Sequence, residues 1–277
     1  MPEKPEVITV SKKLTNRLIG KKIENVNVLW PNIIMDLSVD DFQNRLKGEE
    51  FLEITTRGKW LVFTLSTCIL LVHLRMEGKF FFRSKEEEIK KHEHVIFTLE
   101  SGESFRFHDT RKFGKMKILS KENYDAEEPF LSLGLEVWDK SLNSSYLMEK
   151  FKKKSLSIKL ALLDQTIITG IGNIYADEIL FLSKIHPLTS SKDLTEADLV
   201  AIIKNAKVVL DKAIEEGGTT IHSYTSEEGV TGLFQNYLLV HSKDGEKCTV
   251  CGSKIIKIKV GGRGTYFCDT CQKERTK

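Results

Sequence analysis

The first half of the chain has the hydrophobic pattern of short strands. Between residues 21 and 120, segments rich in β-branched and aromatic residues alternate with turn signals such as Arg57-Gly58 and Ser101-Gly102. These segments are IENVNVLW, FLEITT, KWLVFTL, CILLVHL, KFFF, HVIFTLE, SFRFHD and KMKIL. Strands of this length and spacing predict a sandwich or barrel. The strongly charged segment KEEEIKKHEH at 85–94 is predicted to be a solvated loop.

After about residue 135 the hydrophobic period becomes that of helices. The helical segments are SSYLMEKFKKK, NIYADEILFLSKI and TEADLVAIIKNAKVVLDKAIEE. In the last one, apolar residues recur at i, i+3 and i+4, Thr195 and Asp198 suit a capping box, and Gly217 suits the position after the helix end. Strands followed by helices predict an α+β protein. The polar, glycine-rich segment 217–236 has no sustained period, and loops of this length are usually functional or disordered.

The composition is that of a globular chain without a membrane-spanning segment. Of the 277 residues, 40% are hydrophobic and 29% are charged, and the longest apolar run, CILLV, is far too short to cross a bilayer. The first dozen residues alternate charged and apolar positions, unlike a signal peptide. We therefore expect a cytoplasmic protein. A net charge of +3 permits an anionic partner without requiring one.

Four of the five cysteines lie near the C-terminus in the pattern C-x2-C-x16-C-x2-C. They are Cys248, Cys251, Cys268 and Cys271. Two such pairs supply four thiolates for one tetrahedral zinc ion and leave no open position, so the ion would be structural. Between the pairs, KIIKIKV, Gly-Gly-Arg-Gly and TYF predict a β-hairpin with Arg263 at its tip. Arg263 is either a solvent-exposed turn residue or a contact group, since its flanking glycines allow a ligand to approach closely.

The N-terminal segment MPEKPEV supports two interpretations. Early proline and glutamate residues favour the start of a helix. Alternatively, removal of Met1 would leave Pro2 with a free secondary amine, and an α-amine titrates at about 7.7–8.0. Such an amine is a usable nucleophile that can form an iminium with a sugar carbon. Glu3 could transfer a proton beside it, and Glu6 would face the same site one helical turn on.

Candidates for nucleic-acid contact lie on turns and at a helix start. Arg111-Lys112-Phe113 places two cations and an aromatic ring on one turn, which suits phosphate contact and insertion into a base stack. The alternative is an ordinary hairpin end with a core phenylalanine. Met76 is similarly a core or a contact residue, and Asn173 is either a helix cap or a phosphate ligand at a helix N-terminus.

Seven dispersed motifs together resemble the formamidopyrimidine-DNA glycosylases, the bacterial 8-oxoguanine DNA glycosylase family. The motifs are MPEKPEV, RGKWL, HLRMEGKF, HDTRKFG, LLDQTIITGIGNIYADEIL, GGTTI…GLFQ and the cysteine hairpin with GGRGTYFC. They follow the family's order and span essentially the whole chain. The resemblance implies a helix-flanked catalytic β-sandwich at 1–134, a helix-two-turn-helix domain at 135–237 with a lesion-capping loop at 217–236, and a zinc finger at 238–277.

The resemblance also implies a reaction and its residues. The expected enzyme is a bifunctional DNA glycosylase and AP lyase of base-excision repair, which removes oxidised purines through a Schiff base at the N-terminal proline and β,δ-elimination. The catalytic residues implied are Pro2, Glu3, Lys59 and Arg263. The DNA contacts implied are His92, Arg111, Lys112, Asn173, Lys154, Met76 and Phe113, and the lesion-pocket carboxylates are Glu6 and Glu178. The expected partners are one structural zinc ion and double-stranded DNA that carries oxidised bases, bound by a monomer in the bacterial cytoplasm, at the nucleoid.

Four positions depart from the family pattern. Lys4 replaces a leucine, Ile8 replaces a glutamate and Thr110 replaces a proline, while His222 stands in the capping loop where a cation is frequent. None of them belongs to the implied catalytic set.

Two other functions stay open at this point. The first is an endonuclease VIII-like glycosylase for oxidised pyrimidines, which the long loop and the Met76, Arg111, Phe113 set argue against. The second is a zinc protein that binds damaged DNA without cutting it. Such a protein would need neither a reactive Pro2 nor Lys59.

Overall fold

The computed structural model describes residues 1–152, 155–219 and 232–275. These residues form two compact units. The first contains Met1–Leu131 with Thr219 and Gly232, and the second contains Ser132–Gly218 and the chain from Leu233 onward. In these described ranges, no helix combines the length and the apolar character that a membrane crossing needs.

The first unit is an antiparallel sandwich of two four-stranded sheets. Its helices and strands are α1 (Lys4–Leu18), β1 (Ile23–Val28), α2 (Val39–Leu46), β2 (Phe51–Arg57), β3 (Trp60–Leu65), β4 (Cys68–His73), β5 (Lys79–Ser84), β6 (Glu93–Leu99), β7 (Glu103–His108) and β8 (Lys115–Ser120). One sheet has the order β1-β6-β7-β5, and the other has the order β2-β3-β4-β8. The architecture that the strand pattern predicts is confirmed.

Both sheets and the first helix share one hydrophobic core. Val7, Val10, Leu14 and Leu18 recur at helical spacing on α1 and are all buried in it. Strand β4 lies between β3 and β8 and is buried at every residue. Its run of apolar residues therefore belongs to a central strand, and α1 is fixed to the sheet by its apolar face.

The charged segment at 85–94 is only partly the solvated loop that its composition predicts. Residues 85–91 are mostly exposed and lie between β5 and β6. Glu93 and His94, however, are 3% and 6% exposed and begin β6. The prediction was wrong for these two residues because their polar groups find partners inside the unit, which charge patterning along the chain does not report.

The second unit is mainly helical. Its elements are β9 (Leu135–Glu136), α3 (Ser144–Lys152), α4 (Ile158–Leu163), β10 (Ile168–Thr169), α5 (Asn173–Leu182), α6 (Glu196–Glu215), β11 (Ile256–Val260) and β12 (Arg263–Phe267). The short strands β9 and β10 pair in parallel, and β11 and β12 form the antiparallel hairpin predicted between the cysteine pairs.

The longest helix begins and ends as its sequence predicts. The Thr195 hydroxyl accepts from the Asp198 N–H at 3.2 Å, and the Asp198 carboxylate accepts from the Thr195 N–H at 3.1 Å. Helix α6 ends at Glu215, and Gly217 follows with φ 73°, a left-handed conformation that favours glycine. The capping box and the glycine stop are both confirmed.

Candidate active site

The N-terminus is held by the first turn of α1. Glu3 has extended backbone with φ −101° and precedes the helix, and its N–H donates to the Glu6 carboxylate at 2.8 Å. Pro5 lies in the first turn, where a missing N–H costs nothing. Pro2 is buried, Glu3 is 3% exposed, and Met1 before them is 50% exposed. The helix start thus fixes Pro2 and Glu3 in place beside each other.

Glu6 also binds Thr219, near the start of the polar segment 217–236. Its second oxygen accepts from the Thr219 N–H at 2.8 Å and from the Thr219 hydroxyl at 3.2 Å. Both side chains are buried. One carboxylate therefore ties the start of α1 to the entrance of the predicted capping loop. The loop residues 220–231, His222 among them, lie outside the described residues.

Lys59 lies between Gly58 and the start of β3 and is 6% exposed. The hairpin that carries it is tied to α1 by Lys4, whose ammonium donates to the Thr56 hydroxyl at 2.8 Å and to the Thr56 carbonyl at 3.1 Å. Lys4 is one of the departures from the family pattern, and nothing in its local sequence indicates this contact. In the structure, Lys4 joins the start of α1 to the hairpin that carries Lys59.

A buried histidine shapes the turn before Met76. The His73 ring meets the Trp60 ring edge-on at 4.8 Å, and its Nδ1 accepts from the Arg75 N–H at 3.0 Å. Burial, with the charges of Arg75 and Lys59, lowers the pKa of His73 to about 3. A neutral ring keeps Nδ1 available as an acceptor. Met76 follows this turn and is 37% exposed, so it is not a core residue.

The Arg111-Lys112-Phe113 turn is organised by one buried carboxylate. Asp109 is fully buried, and its side chain accepts from the N–H groups of Arg111 at 3.0 Å, Phe113 at 2.8 Å and Gly114 at 2.7 Å. Lys112 has φ 58° and its ammonium lies 3.9 Å from the centre of the Trp30 ring. Phe113 is 49% exposed. The alternative of a core phenylalanine is therefore excluded, and the aromatic tip is held out into solvent.

We expect Asp109→Asn to destabilise the first unit by about 2–4 kcal/mol, because it removes the charge that accepts three backbone N–H groups. Urea unfolding would measure this difference. Asp40→Asn is the matched control, since Asp40 is exposed near the start of α2. Equal stability of the two variants would contradict the assignment.

In the second unit, Asn173 joins the start of α5 to the hairpin. Its Nδ2 donates to the Gly264 carbonyl at 2.9 Å, and within the described ranges its buried Oδ1 has no hydrogen-bond partner. The hairpin turns through Gly261 and Gly262, with φ 54° and 77°, and Arg263 opens β12 with its side chain exposed. A turn with positive φ at both central residues favours glycine at both positions.

A buried ion pair outside the predicted site residues supports the start of α5 at Asn173. The Lys159 ammonium donates to the Asn173 carbonyl at 2.8 Å and to the Asp177 carboxylate at 2.6 Å. The other Asp177 oxygen lies 2.7 Å from His241 Nδ1. Because Lys159 and Asp177 are 0% and 1% exposed, the interaction is shielded from water and fixes the first turn of α5.

Glu178, which the resemblance assigns to the lesion pocket, binds three backbone amides. It is 2% exposed, and its two oxygens accept from the N–H groups of Leu239 at 2.8 Å, Val240 at 3.0 Å and His241 at 2.8 Å. Burial raises the pKa of Glu178, while the three amide donors oppose the rise. Glu178 therefore anchors the chain that enters the cysteine hairpin, and its place in the lesion pocket stays a prediction.

The four cysteine sulfurs fit a zinc ion. All four lie within 4.8 Å of one another, with Cys248 and Cys271 3.9 Å apart and Cys251 and Cys268 3.5 Å apart. Zinc–sulfur bonds of about 2.3 Å in a tetrahedron require sulfur separations of about 3.8 Å. Four thiolates would fill the coordination sphere, so the ion would hold the hairpin and take no part in the reaction.

Three family models match the chain. The formamidopyrimidine-DNA glycosylase N-terminal domain matches residues 1–116, the H2TH domain of the same glycosylases matches residues 133–225, and the zinc finger found in FPG and IleRS matches residues 245–273. The chain belongs to the formamidopyrimidine-DNA glycosylase family. It is accordingly a DNA glycosylase of base-excision repair with a C-terminal zinc finger, as the seven motifs predict.

Individual relatives resemble this glycosylase over its full length. The formamidopyrimidine-DNA glycosylase of Oceanobacillus iheyensis is 42% identical over 273 residues, which cover 98% of each chain. That of Bacillus subtilis is 41% identical and covers 99% of this chain and 100% of its own. A mutant of Lactococcus lactis FPG in complex with Fapy-dG-containing DNA has a TM-score of 0.91 and 36% identity, and the match covers 99% of this chain and 100% of that chain.

The predicted site residues of the glycosylase are divided between the two units. Pro2, Glu3, Glu6 and Lys59 lie in the first unit with Met76, His92 and the Arg111–Phe113 turn, while Asn173 and Arg263 lie in the second. Lys154 is outside the described residues. Sequence reasoning missed Lys4, His73, Lys159 and Asp177. Only Lys4 gave a signal, as a charged residue in a position where the family has leucine.

Proposed function

We propose that the N-terminal amine of Pro2 carries the reaction in this glycosylase. The observation that supports this proposal is the start of α1. Pro2 and Glu3 are buried next to each other just before the helix, and Glu6 accepts from the Glu3 N–H. In the chain as it stands, Met1 makes the Pro2 nitrogen an amide, so the reaction needs Met1 to be removed. The positive end of the helix dipole would then favour the neutral, nucleophilic form of the amine.

The proposed reaction starts with a damaged nucleotide turned out of the duplex, because C1′ cannot be attacked inside the stack. The Pro2 nitrogen forms a bond to C1′ while the bond from C1′ to the base breaks, and the base leaves with a proton. Glu3 donates a proton to the ring oxygen as the sugar opens, which gives an iminium. Loss of a C2′ proton then expels the 3′ phosphate, and a second elimination expels the 5′ phosphate.

The remaining residues divide the supporting tasks. We assign to Lys59 the proton transfer in β-elimination, supported by its buried position on the hairpin that Lys4 ties to α1. Arg263 would grip the phosphates beside the lesion and assist δ-elimination. Met76, Arg111 and Phe113 would fill the space that the extruded nucleotide leaves, which their exposed positions on two rigid turns support.

The test of this function uses a duplex with 8-oxoguanine opposite cytosine, incubated with the protein and reduced with borohydride. We expect a covalent protein–DNA adduct and release of the oxidised base. A non-catalytic damage-binding protein would form a complex and no adduct. If none of the oxidised bases tested gives an adduct, the proposal is wrong.

We propose oxidised purines, 8-oxoguanine and formamidopyrimidines, as the preferred lesions. Support comes from the Lactococcus lactis relative, whose structures contain Fapy-dG DNA. The endonuclease VIII-like alternative predicts faster release of an oxidised pyrimidine such as dihydrouracil. Excision rates on matched duplexes that differ only in the lesion decide between the two.

We further propose that the enzyme acts as a monomer on chromosomal DNA, in the cytoplasm at the nucleoid. Three working regions serve this function: the catalytic sandwich at 1–134, the helix-two-turn-helix domain at 135–237 with its loop at 217–236, and the zinc finger at 238–277. The ranges of the three family models support this division.

Phosphate contacts make the DNA affinity strongly dependent on salt. If four cationic side chains each displace one counterion, the slope of log K against log salt is about −3.6. We expect Lys112→Gln to reduce this slope by about 0.9, whereas Lys85→Gln, at an exposed position that is not among the proposed contacts, leaves it unchanged. Fluorescence anisotropy with an uncleavable duplex measures both. A flat salt dependence would contradict the proposed contacts.

A further inference from the structure

The charged loop between β5 and β6 is folded around a single buried arginine. Arg106 lies on β7 and is 1% exposed. A guanidinium has five N–H donors, and here all five have an acceptor. The acceptors are the Ser104 hydroxyl at 2.7 Å, the Glu88 carbonyl at 3.1 Å, the Glu93 carboxylate at 2.9 Å, the Ser84 carbonyl at 3.0 Å and the Glu87 carbonyl at 2.6 Å.

Glu93, the carboxylate that pairs with Arg106, also binds the backbone at the end of the same loop. Glu93 is 3% exposed, and the oxygen that accepts from Arg106 also accepts from the Lys90 N–H at 2.9 Å. A buried carboxylate without its cation is strongly unfavourable. The path of the backbone from Ser84 to Glu93 therefore depends on the guanidinium.

His92 lies immediately before Glu93 in the chain. Its backbone has φ 72°, a left-handed conformation that is uncommon for a residue other than glycine. On one side it is continuous with the segment bound to Arg106. On the other, its carbonyl accepts from the N–H of Asp109 at 3.0 Å, at the base of the Arg111–Phe113 turn. The backbone of His92, from which its side chain projects, is consequently held on both sides.

We propose that Arg106 is the positioning residue for His92 and through it sets part of the affinity for DNA. This inference rests on the proposed function and on the DNA contact that the family resemblance implies for His92. Arg106 is too deeply buried to touch DNA itself, and its donors are all engaged by the loop and by the strands next to it. Lysine could not replace it, because an ammonium has three donors and no planar fork.

The test is a double-mutant cycle on the full-length protein with Arg106→Lys, His92→Ala and the double variant. The dissociation constant is measured for a duplex with a tetrahydrofuran abasic analogue, and steady-state kinetics are measured on the lesion duplex. We expect each single variant to bind about tenfold more weakly, the value for one charge-assisted hydrogen bond. The double variant should bind the duplex no more than about twofold more weakly than either single variant. KM should rise with kcat unchanged, whereas partial unfolding would lower kcat per protein molecule.

Arg17→Lys is the matched control, because Arg17 pairs with Glu103 at 3.0 Å on the surface. The inference is wrong if the two single variants weaken DNA binding additively or if only kcat changes. It is also wrong if either Arg106→Lys or His92→Ala binds the duplex normally. If Arg106→Lys does not fold, Glu93→Gln takes its place in the cycle under the same criteria. Failure of the proposed function is distinguishable, because the unmodified protein would then form no adduct before any variant is compared.

Discussion

Extending the chain by a few residues before Pro2 is expected to abolish the borohydride-trapped adduct and lower base excision by at least about a thousandfold. The extension turns the Pro2 amine into an amide, which has no available lone pair, so covalent catalysis is lost. The best design uses one protein preparation with a removable leader. Proteolysis that leaves Pro2 as the first residue should restore the activity, and mass measurement reports the state of the terminus.

The control for this experiment is binding to the uncleavable abasic duplex. Extended and processed proteins should bind it with dissociation constants within about threefold, because the proposed phosphate contacts lie elsewhere. If the extended protein still forms an adduct, the nucleophile is another amine, and Lys59 would be the first to replace. Pro2→Gly probes the ring itself, since it keeps an α-amine but replaces the secondary amine of the ring with a primary amine.

The sequence predicted those features that depend on neighbours along the chain. The strand spacing, the Thr195–Asp198 capping box, the glycine stop after α6 and the cysteine knuckles are all local patterns, and all are confirmed. The start of α1 is also local, and its capping by Glu6 agrees with the helix interpretation of MPEKPEV. The helix start and the proposed reactive end are compatible, because the same turn that begins the helix fixes Pro2.

What the sequence did not predict depends on partners far apart in the chain. Lys4 reaches Thr56, 52 residues away, and Glu6 reaches Thr219, 213 residues away. Glu178 accepts from three amides that lie 61 to 63 residues away, and its local sequence does not indicate these contacts. Phe113 has an apolar side chain in a strand-rich region, and only the hydrogen bonds of Asp109 explain why it is held in solvent.

The second large effect is expected at the zinc finger. Cys248→Ser should reduce bound zinc from one ion to less than about 0.1 per chain, because a serine hydroxyl is a poor zinc ligand at neutral pH. DNA binding should weaken by at least about a hundredfold at the same time. Cys248 and Cys268 are buried where the two ends of the hairpin meet. The hairpin carries Arg263 and the Gly264 carbonyl that accepts from Asn173, so loss of zinc would release both from their positions.

Cys68→Ser is the matched control, since Cys68 is a buried cysteine in the sandwich and takes no part in the four-sulfur cluster. It should keep both its zinc and its DNA affinity. Zinc content is measured by metal analysis, and DNA affinity by anisotropy on the abasic duplex. A Cys248→Ser protein that lacks zinc and binds this duplex normally would refute the structural role of the ion. A protein that keeps zinc through three thiolates and still loses affinity would show that the hairpin needs the complete tetrahedron, because an ion with an open position holds the two knuckles less rigidly.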